Sequence, residues 1–517
     1  MTASELLLPD RMTMRGAGDA LAGRLGIANG MQRDGERAYF DTFDGLLHAA
    51  GLSLVHADGA LSLVELDSGV VRASLPTVAP AEPLFAAELA PGPLRDCLAA
   101  LTDVRALLPL VHVHAREHLI SVLDSEGKTV VRLALEEPQL VDPAGADSPL
   151  RPRVRITGVR GYDKARRRVQ EALDELGFKP ADQPLVDEAV RAAGRRPGGM
   201  PSKIEVPLRP DQRSDAAAVI VLRALLEVIE ANLEGTIADL DSEFLHDLRV
   251  SVRRSRAVQR ELGGVFGPAQ LAHFRAEFRW LQQATGDARD LDVHVLEFDA
   301  MRALVPDAMR EDLEPLLGVL RTRRVRAHRS LVSALRSERT TKLLGSWASF
   351  LDALELSDEE ERPDAARPIA DLAGERISKV YRRMVRMGKT IGPESPAEEY
   401  HELRKKGKEL RYLLELFGAA GEGLFPGEVV KPMIKTLKAL QDVLGRHQDR
   451  EVQIDLLRSL SPEIAGSPNG ADALMALGAL LARLSEDEVA ARGEFAARFA
   501  EFASREQRRL VKETFAS

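Results

Sequence analysis

Cysteine, aromatic residues and long apolar runs are scarce in this 517-residue chain. The single Cys97 excludes an intrachain disulfide framework and a cysteine-based zinc site, and it suits a reducing compartment. Aromatic residues make up only 4% of the chain, so its cores must be built mostly from Leu, Val and Ala. No apolar stretch approaches the roughly 18 residues that span a bilayer. The first thirty residues also lack the basic start and apolar run of a signal peptide. A soluble, cytoplasmic protein is therefore predicted.

An excess of positive charge is also missing, since the formal net charge is −9. Taken alone, this value argues against a general binder of nucleic acid or of other polyanions. The basic residues are unevenly spread, however, and recognition depends on the local field at a surface. Their positions along the chain therefore matter more than their sum.

The pattern of the chain changes near residue 200. Before it, short β-rich runs are broken by Gly, Pro and Asp, and "HLISVLDSEGKTVVRLAL" (118–135) predicts a hairpin. A helix is predicted over 163–178, ending at Gly177. Residues 1–191 are therefore predicted to form an α+β domain with antiparallel strands. A linker rich in proline and glycine is predicted over 192–211.

The region 212–517 has only helical periodicity and is predicted to be all-α, in two repeats, 212–355 and 365–517. The segment "HDLRVSVRRSR" (246–256) matches "HELRKKGKELR" (401–411), 155 residues later. Further on, "LQQATGDARDLDV" (281–293) matches "LQDVLGRHQDREV" (440–452) at an offset of 159. Two matched blocks in the same order indicate an internal duplication and two pseudo-symmetric helical bundles.

Several of the predicted helices carry rows of one charge sign at helical spacing. Like charges at this spacing destabilise a helix by roughly 0.2–0.5 kcal/mol per pair, and a solvated face usually interleaves acids. The rows are His246, Arg249, Arg253, Arg256 and Arg260; His401, Arg404, Lys408 and Arg411; Arg321, Arg324 and His328; Arg376, Lys379, Arg383 and Arg386; and Lys431, Lys435 and Lys438, the last matching Arg279.

Two interpretations of these rows stay open. In the simpler one they are exposed or salt-bridged surface. In the other they meet a polyanion, because arginine suits phosphate oxygens and each charge-assisted bond contributes roughly 1.5–3 kcal/mol. The histidine that leads both copies could donate to the same ligand. Asp290 and Asp449 precede apolar helical runs, and a structural role is predicted for them, as helix caps or as partners that fix an arginine.

The second half resembles the CHAD domain, on the residues "LHDLRVSVRRSR" with "RWLQQATGDARDLDV" and their counterparts in the second copy. This resemblance implies a basic central cleft that binds inorganic polyphosphate, and association with polyphosphate granules in bacteria. By matched position the binding residues would include His246, Arg249, Arg253, Arg254, Arg256, His401, Arg404, Lys405, Lys408 and Arg411. Glu409 stands where the first copy has Arg254, which predicts weaker binding in the second half of the cleft.

The first half resembles a CYTH domain, also called a triphosphate tunnel metalloenzyme fold, in "YFDTFDGLLHAAGLSLV" (39–55). The Glu-x-Glu-x-Lys strand that would hold a divalent metal and triphosphate is absent. The strand "RPRVRITGV" carries arginines where acidic metal ligands would be expected. Because two-metal chemistry requires converging carboxylates, an inactive domain without catalytic residues is predicted.

The leading hypothesis is non-enzymatic polyphosphate binding, without a metal or cofactor. The alternatives are a metal-dependent triphosphatase or polyphosphatase in the first domain, or nucleic-acid backbone binding by the basic helices. Few aromatic stacking partners and no groove-reading motif argue against nucleic acid. A P-loop and an HExxH-type histidine spacing are both absent from the sequence.

Overall fold

The computed structural model describes residues 5–78, 80, 82–141, 147–159, 161–200, 204–354, 360–418 and 423–515. The chain forms two compact units, residues 1–202 and 203–517, called here the N-terminal unit and the C-terminal unit. The predicted linker 192–211 includes this division, but residues 201–203 lie outside the described residues. Its role as a linker stays a prediction, as do the outer bounds of the two repeats.

The N-terminal unit is built on one ten-stranded antiparallel sheet. Its order is β10, β1, β9, β7, β6, β2, β3, β4 and β5, and β8 pairs with β7. The strands are β1 Glu5–Leu7, β2 Ile27–Thr42, β3 Leu52–Ala57, β4 Ala60–Glu65, β5 Val71–Pro76, β6 Leu107–Leu123, β7 Thr129–Val141, β8 Ser148–Pro149, β9 Arg153–Gly158 and β10 Lys179–Pro180.

The predicted hairpin is confirmed as β6 and β7. Between them the carboxylate of Asp124 accepts hydrogen bonds from the backbone N–H groups of Glu126 and Lys128, both at 2.9 Å. Gly127 follows with φ +75°, a left-handed conformation that glycine adopts without a steric penalty. The residues "DSEG" (124–127) therefore form the turn that joins the two long central strands.

Five helices pack on this sheet: α1 Met14–Ala22, α2 Leu46–Ala49, α3 Pro93–Thr102, α4 Asp163–Glu175 and α5 Leu185–Ala192. The predicted helix at 163–178 is confirmed as α4, and Gly177 follows it with φ +86°. Leu173 of α4 is fully buried in one core with Leu133 of β7. Near one end of the sheet, Tyr39 and Val113 form another core with α5.

The C-terminal unit is helical, and the structure assigns no strand to its described residues 204–354, 360–418 and 423–515. Its helices are α6 Ser214–Ala231, α7 Leu233–Ile237, α8 Ser242–Glu261, α9 Pro268–Ala284, α10 Gly286–Leu296, α11 Phe298–Arg302, α12 Glu314–Leu335, α13 Glu338–Ala353, α14 Ile369–Gly388, α15 Ala397–Leu413, α16 Gly427–Ala465, α17 Gly470–Phe502 and α18 Arg505–Phe515. A π-helical turn, Leu414–Gly418, follows α15.

The helix order of the first repeat recurs in the second. The helices α6, α8, α12 and α13 are followed in the same order by α14, α15, α17 and α18. The pair α9 and α10, interrupted at Thr285, corresponds to the single 39-residue helix α16. Both hydrophobic cores of the unit contain residues from both repeats, as with Leu248 and Leu403 in the larger one. The two repeats therefore fold against each other.

Candidate functional site

The two helices that carry the matched basic motifs pack against each other in the C-terminal unit. The first helix, α8, begins at Asp241, whose carboxylate accepts hydrogen bonds from the N–H groups of Glu243 at 2.8 Å and Phe244 at 3.3 Å. Leu248 and Val252 bury one side of α8, and Leu403 and Leu410 bury one side of α15. This packing leaves the motif cations of both helices at a shared junction.

Four cations meet at the junction of α8 and α15, and we call them the cationic quartet: Arg249 and Arg253 from the first repeat, and Arg404 and Lys408 from the second. Burial, and then the charges of Arg404, Arg253 and Arg249, together lower the pKa of Lys408 to about 8, against a smaller opposite effect of Asp449. This mutual repulsion indicates that matched positions of the two repeats converge on one place.

Arg249 lies deepest in the quartet, with 9% of its surface exposed. Its Nη1 donates to the carbonyl oxygen of Gln282 at 3.0 Å and to Oγ1 of Thr285 at 2.9 Å, while its Nε is buried with no hydrogen-bond partner among the residues that the structure describes. Burial lowers the pKa of Arg249 to about 10, and the charge of Arg253 contributes. The interruption between α9 and α10 thus holds this guanidinium through neutral oxygens.

Carboxylates around the quartet are few. Arg404 donates to Oδ1 of Asp449 at 2.9 Å, which matches the predicted role of that aspartate in fixing an arginine. Within 4 Å, neither Arg253 nor Lys408 has an acidic partner in the part of the chain that the structure describes. The quartet therefore holds more positive than negative charge.

His294 is a residue that sequence reasoning missed. It is 4% exposed, and its Nδ1 is buried without a hydrogen-bond partner among the described residues. Burial lowers the pKa of His294, while the charges of Asp290 and Asp449 act in the opposite direction. The matched aspartates of the two repeats thus both lie near one buried imidazole. Its position four residues after Asp290 is the signal that could have identified it.

The predicted cations fall into two groups, those that form an ion pair with an acidic residue and those that do not. Seven of the predicted residues form ion pairs: Arg254 with Glu415, Arg260 with Glu261 and Glu409, Arg324 with Asp239 and Asp292, Arg376 with Asp364, Arg404 with Asp449, Lys405 with Glu402, and Arg411 with Glu415. For these seven residues the contacts favour the simpler interpretation, a salt-bridged surface, because acids from neighbouring turns and from other helices meet them.

Eleven predicted cations have no acidic partner within 4 Å among the described residues: Arg249, Arg253, Arg256, Arg279, Arg321, Lys379, Arg383, Arg386, Lys408, Lys435 and Lys438. Arg256 donates instead to Oε1 of Gln282, and its pKa is lowered by burial and then by the charge of Arg279. Of the predicted histidines, His246 is half-buried, Nε2 of His328 contacts the carbonyl oxygen of Thr236 at 3.0 Å, and Nδ1 of His401 contacts Oε1 of Gln448.

Two ion pairs cross between the repeats in a reciprocal way. Nη2 of Arg254 lies 2.8 Å from Oε2 of Glu415, and Nη2 of Arg260 lies 2.8 Å from Oε2 of Glu409. With the offset of 155 residues, Glu409 occupies the position of Arg254 and Glu415 that of Arg260. Burial, followed by a hydrogen bond with Glu261, raises the pKa of Glu409 to about 7. Glu409 therefore shares the pairing of the other repeat's Arg260 with Glu261, whose pKa is lowered.

The N-terminal sheet contains a second group of arginines, of which sequence reasoning singled out only those of β9, within "RPRVRITGV". Directly opposite residues form a charged row across four strands: Arg33 of β2, Glu117 of β6, Glu136 of β7 and Arg153 of β9. Such neighbours share one face of a sheet, and the two glutamates at its centre would repel each other. Arg37 bridges them, with Nη2 at 2.5 Å from Oε1 of Glu117 and 2.7 Å from Oε1 of Glu136.

The resemblance of this unit to the CYTH fold implies a divalent metal, and the residues do not fit one. Carboxylates do converge here, which corrects the expectation that they are missing, but guanidinium groups occupy the oxygens of Glu117 and Glu136. Mg²⁺ and similar cations bind oxygen ligands, and carboxylates are their usual charged ligands in proteins. Among the described residues there is also no group of three His, Cys, Asp or Glu side chains placed to hold a metal ion.

A search of the described helices for a membrane span found none that is both long enough and apolar enough to cross a bilayer. That result is consistent with the short apolar runs of the sequence.

Residues 220–458 match the CHAD domain family. Two uncharacterized proteins from strains of Mycobacterium tuberculosis are each 29% identical over 314 residues, which cover 56% of this chain and 56% of each relative. The match thus extends over little more than half the length of these curated relatives.

Among solved structures, the chain is similar to the crystal structure of the CHAD domain from the plant Ricinus communis, with a TM-score of 0.48 and 25% identity, covering 57% of this chain and 94% of that one. It is also similar to PptA from Streptomyces chartreusis, with a TM-score of 0.43 and 17% identity, covering 56% of this chain and 99% of the other. Residues 220–458 are a CHAD domain, and they follow an antiparallel sheet domain consistent with a CYTH-like fold.

Proposed function

We propose that this protein binds inorganic polyphosphate without converting it, at the junction of α8 and α15. The CHAD family is associated with polyphosphate binding, and the CHAD domain is a non-catalytic binding domain. The observation that carries the proposal is the cationic quartet, in which Arg253 and Lys408 face like charges without an acid within 4 Å among the described residues. Through this binding the protein associates with polyphosphate granules in the cytoplasm.

A polyphosphate ligand would relieve the repulsion among the cations of the quartet. Burial, and then the charges of Arg404 and Arg253, lower the pKa of Lys408, so the surroundings that the protein itself provides disfavour its charged form. A polyanion reverses this, because each charge-assisted bond to a phosphate oxygen contributes roughly 1.5–3 kcal/mol. A chain of closely spaced phosphates can satisfy several of these cations together, whereas a single small anion would leave most of them in mutual repulsion.

The predicted binding residues have different proposed roles, according to the ion pairs that they form. The quartet and Arg256 make the inner contacts, and the exposed cations that lack an acid, such as Arg279 and Lys438, attract the outer part of the chain. Arg254, Arg260, Arg324, Arg376 and Arg411 are held by acids and support the helices instead. The proposed inner site therefore contains fewer cations than the rows identified in the sequence.

Titration of the full chain with long-chain polyphosphate, at several salt concentrations and against competing DNA, tests the proposal. Affinity should fall as salt rises, because bound phosphates release counterions. Lys408→Met should weaken binding about tenfold, the equivalent of one lost charge-assisted bond. Lys405→Met is the matched control, since Lys405 lies on the same helix but is 53% exposed and paired with Glu402. Its affinity should change less than about twofold.

Three results would overturn the proposal. Competition by DNA as strong as that by polyphosphate, per phosphate, would favour general backbone binding. Full affinity in Lys408→Met together with Arg253→Met would remove the junction from the site. Release of phosphate from polyphosphate in the presence of Mg²⁺ or Mn²⁺ would make the protein an enzyme. A fluorescent fusion of the protein can be followed in cells. Its loss from polyphosphate granules when Arg253 and Lys408 are replaced would support the proposed association with granules.

A further inference from the structure

The arginine cluster of the N-terminal sheet is electrically complete within itself. Arg33, Arg37 and Arg155 contribute three positive charges on one face of the sheet, while Arg153 of the same row is paired separately with Glu5 and Glu188. Glu117, Glu136 and Asp58 contribute three negative charges, and every one of them contacts at least one of these arginines. An additional anion or cation would therefore have to displace an existing partner.

The two central carboxylates both accept hydrogen bonds from guanidinium groups. Oε2 of Glu117 accepts from Nε of Arg33 at 2.7 Å, and the oxygens of Glu136 accept from Nη1 of Arg37 at 2.9 Å and Nε of Arg155 at 3.0 Å. Both glutamate side chains are only 1% exposed. Burial alone would raise the pKa of Glu136, but Arg37 and Arg155 lower it to about 2, so it stays ionised at any ordinary pH.

Gly35 shows that the backbone is adapted to this arrangement. It lies on β2 between Arg33 and Arg37, and a Cβ added there would come within 2.9 Å of Oε1 of Glu117. With a larger residue there, the carboxylate of Glu117 would have to shift from its present position. The glycine thus leaves space that one oxygen of Glu117 fills.

We infer that Glu117 and Glu136 act as an internal anion in this arginine cluster, and that they close the sheet face to oligophosphates and to divalent cations. The carboxylates occupy the guanidinium donors that phosphate oxygens would use, and the guanidiniums occupy the carboxylate oxygens that a metal would use. Removing both negative charges leaves the arginines without counterions and turns the face into a site for a short phosphate chain such as tripolyphosphate.

The test uses the full chain in an Arg253→Met, Lys408→Met background, so that the junction of α8 and α15 contributes little phosphate binding. Hydrogen exchange in peptides from β6 and β7 is the readout, because both tryptophans, Trp280 and Trp347, lie in the C-terminal unit and do not report on the sheet. In this parent, neither tripolyphosphate nor Mn²⁺ should change the protection of β6 and β7.

Glu117→Gln together with Glu136→Gln should lose protection in these strands. Tripolyphosphate should restore it, and salt should weaken the restoration. Glu137→Gln is the matched control, since Glu137 is next along β7, its side chain is 44% exposed, and its contact with Arg116 is 4.0 Å long. That variant should neither lose protection nor respond to tripolyphosphate.

The inference is overturned if the parent gains protection with tripolyphosphate or Mn²⁺ and the double variant loses that gain. It is also overturned if the folded double variant fails to respond to tripolyphosphate. Should the double variant not fold, equilibrium dialysis of the parent decides. Stoichiometric binding of Mn²⁺ that Glu136→Gln abolishes would contradict the inference, and its absence would support it.

Discussion

The N-terminal sheet and the C-terminal helices both place arginines on one face of a regular element, with opposite electrostatic results. On the sheet, Arg37 meets two carboxylates, because β6 and β7 bring Glu117 and Glu136 opposite each other. At the junction of α8 and α15, Arg253 and Lys408 meet other cations. A cluster of arginines thus indicates a ligand site only where neighbouring elements do not supply the counterions.

This difference reverses the expected sign of a mutation's effect on stability. Breaking a buried pair by removing one partner leaves an uncompensated charge and is costly. Removing one of several like charges relieves repulsion, so the protein without ligand should not be destabilised. Four experiments test this difference between the sheet and the helices.

The largest effect is expected on the sheet. Glu136→Gln removes the carboxylate shared by Arg37 and Arg155 and should lower the stability of the N-terminal unit by about 3–5 kcal/mol. Hydrogen exchange of β6 and β7 under mild denaturant measures it. Glu137→Gln, with its exposed side chain, should stay within about 0.5 kcal/mol of the parent. Equal effects of the two substitutions would show that the cluster does not act as a buried unit.

The next effect separates two adjacent residues of α8. Arg253→Met should weaken polyphosphate binding about tenfold and should not lower the free energy of unfolding, because it removes a like charge. Arg254→Met should cost about 1–3 kcal/mol of stability, because Glu415 loses a partner, and should leave the affinity nearly unchanged. Tryptophan fluorescence in denaturant and a binding titration measure both variants. The same loss of affinity in both would contradict the division into inner and supporting cations.

A third experiment uses pH. The pKa of Lys408 lies at about 8, below its ordinary value of 10.5, so the lysine loses its proton as the pH rises through that value. Affinity for polyphosphate should fall by up to about tenfold per pH unit above it, because the ligand must bind the proton again. Over the same range the unfolded chain keeps a proton that the folded chain has lost, so stability without ligand should rise. In Lys408→Arg both trends should disappear, and a persistent trend would assign them to another group.

The smallest effect concerns exposed cations. Lys438→Met should weaken binding by less than about threefold, and only at low salt, because an exposed charge acts mainly through the screened field. Lys342→Met is the control, since Lys342 is 73% exposed on α13 and paired with Glu338. A tenfold loss in Lys438→Met would place that residue among the inner contacts.

Local patterns in the sequence identified most of the framework. The turn residues of "DSEG" predicted the hairpin of β6 and β7, and the periodicity after residue 212 predicted an all-helical region. Both depend on residues close together in the chain. The contrast between α9 with α10 and the continuous α16 was not predicted, although it places Thr285 where it holds Arg249.

The sequence could not predict which acidic residues pair with the basic ones. Arg324 lies in a run without acids, yet its partners Asp239 and Asp292 come from segments 85 and 32 residues away. Arg376 is paired with Asp364, which lies between the two predicted repeats, 212–355 and 365–517. The spacing along one helix predicts which cations share a face, whereas tertiary packing determines which of them are neutralised.

The reciprocal pairs Arg254–Glu415 and Arg260–Glu409 have a consequence for the ancestry of the two repeats. Two copies of the first repeat, joined in the same geometry, would bring Arg254 against Arg260 twice. Two copies of the second repeat would bring Glu409 against Glu415 twice. Only the combination of one first repeat with one second repeat gives attractive pairs. The two repeats have therefore become as distinct as the subunits of a heterodimer, and neither can replace the other within the chain.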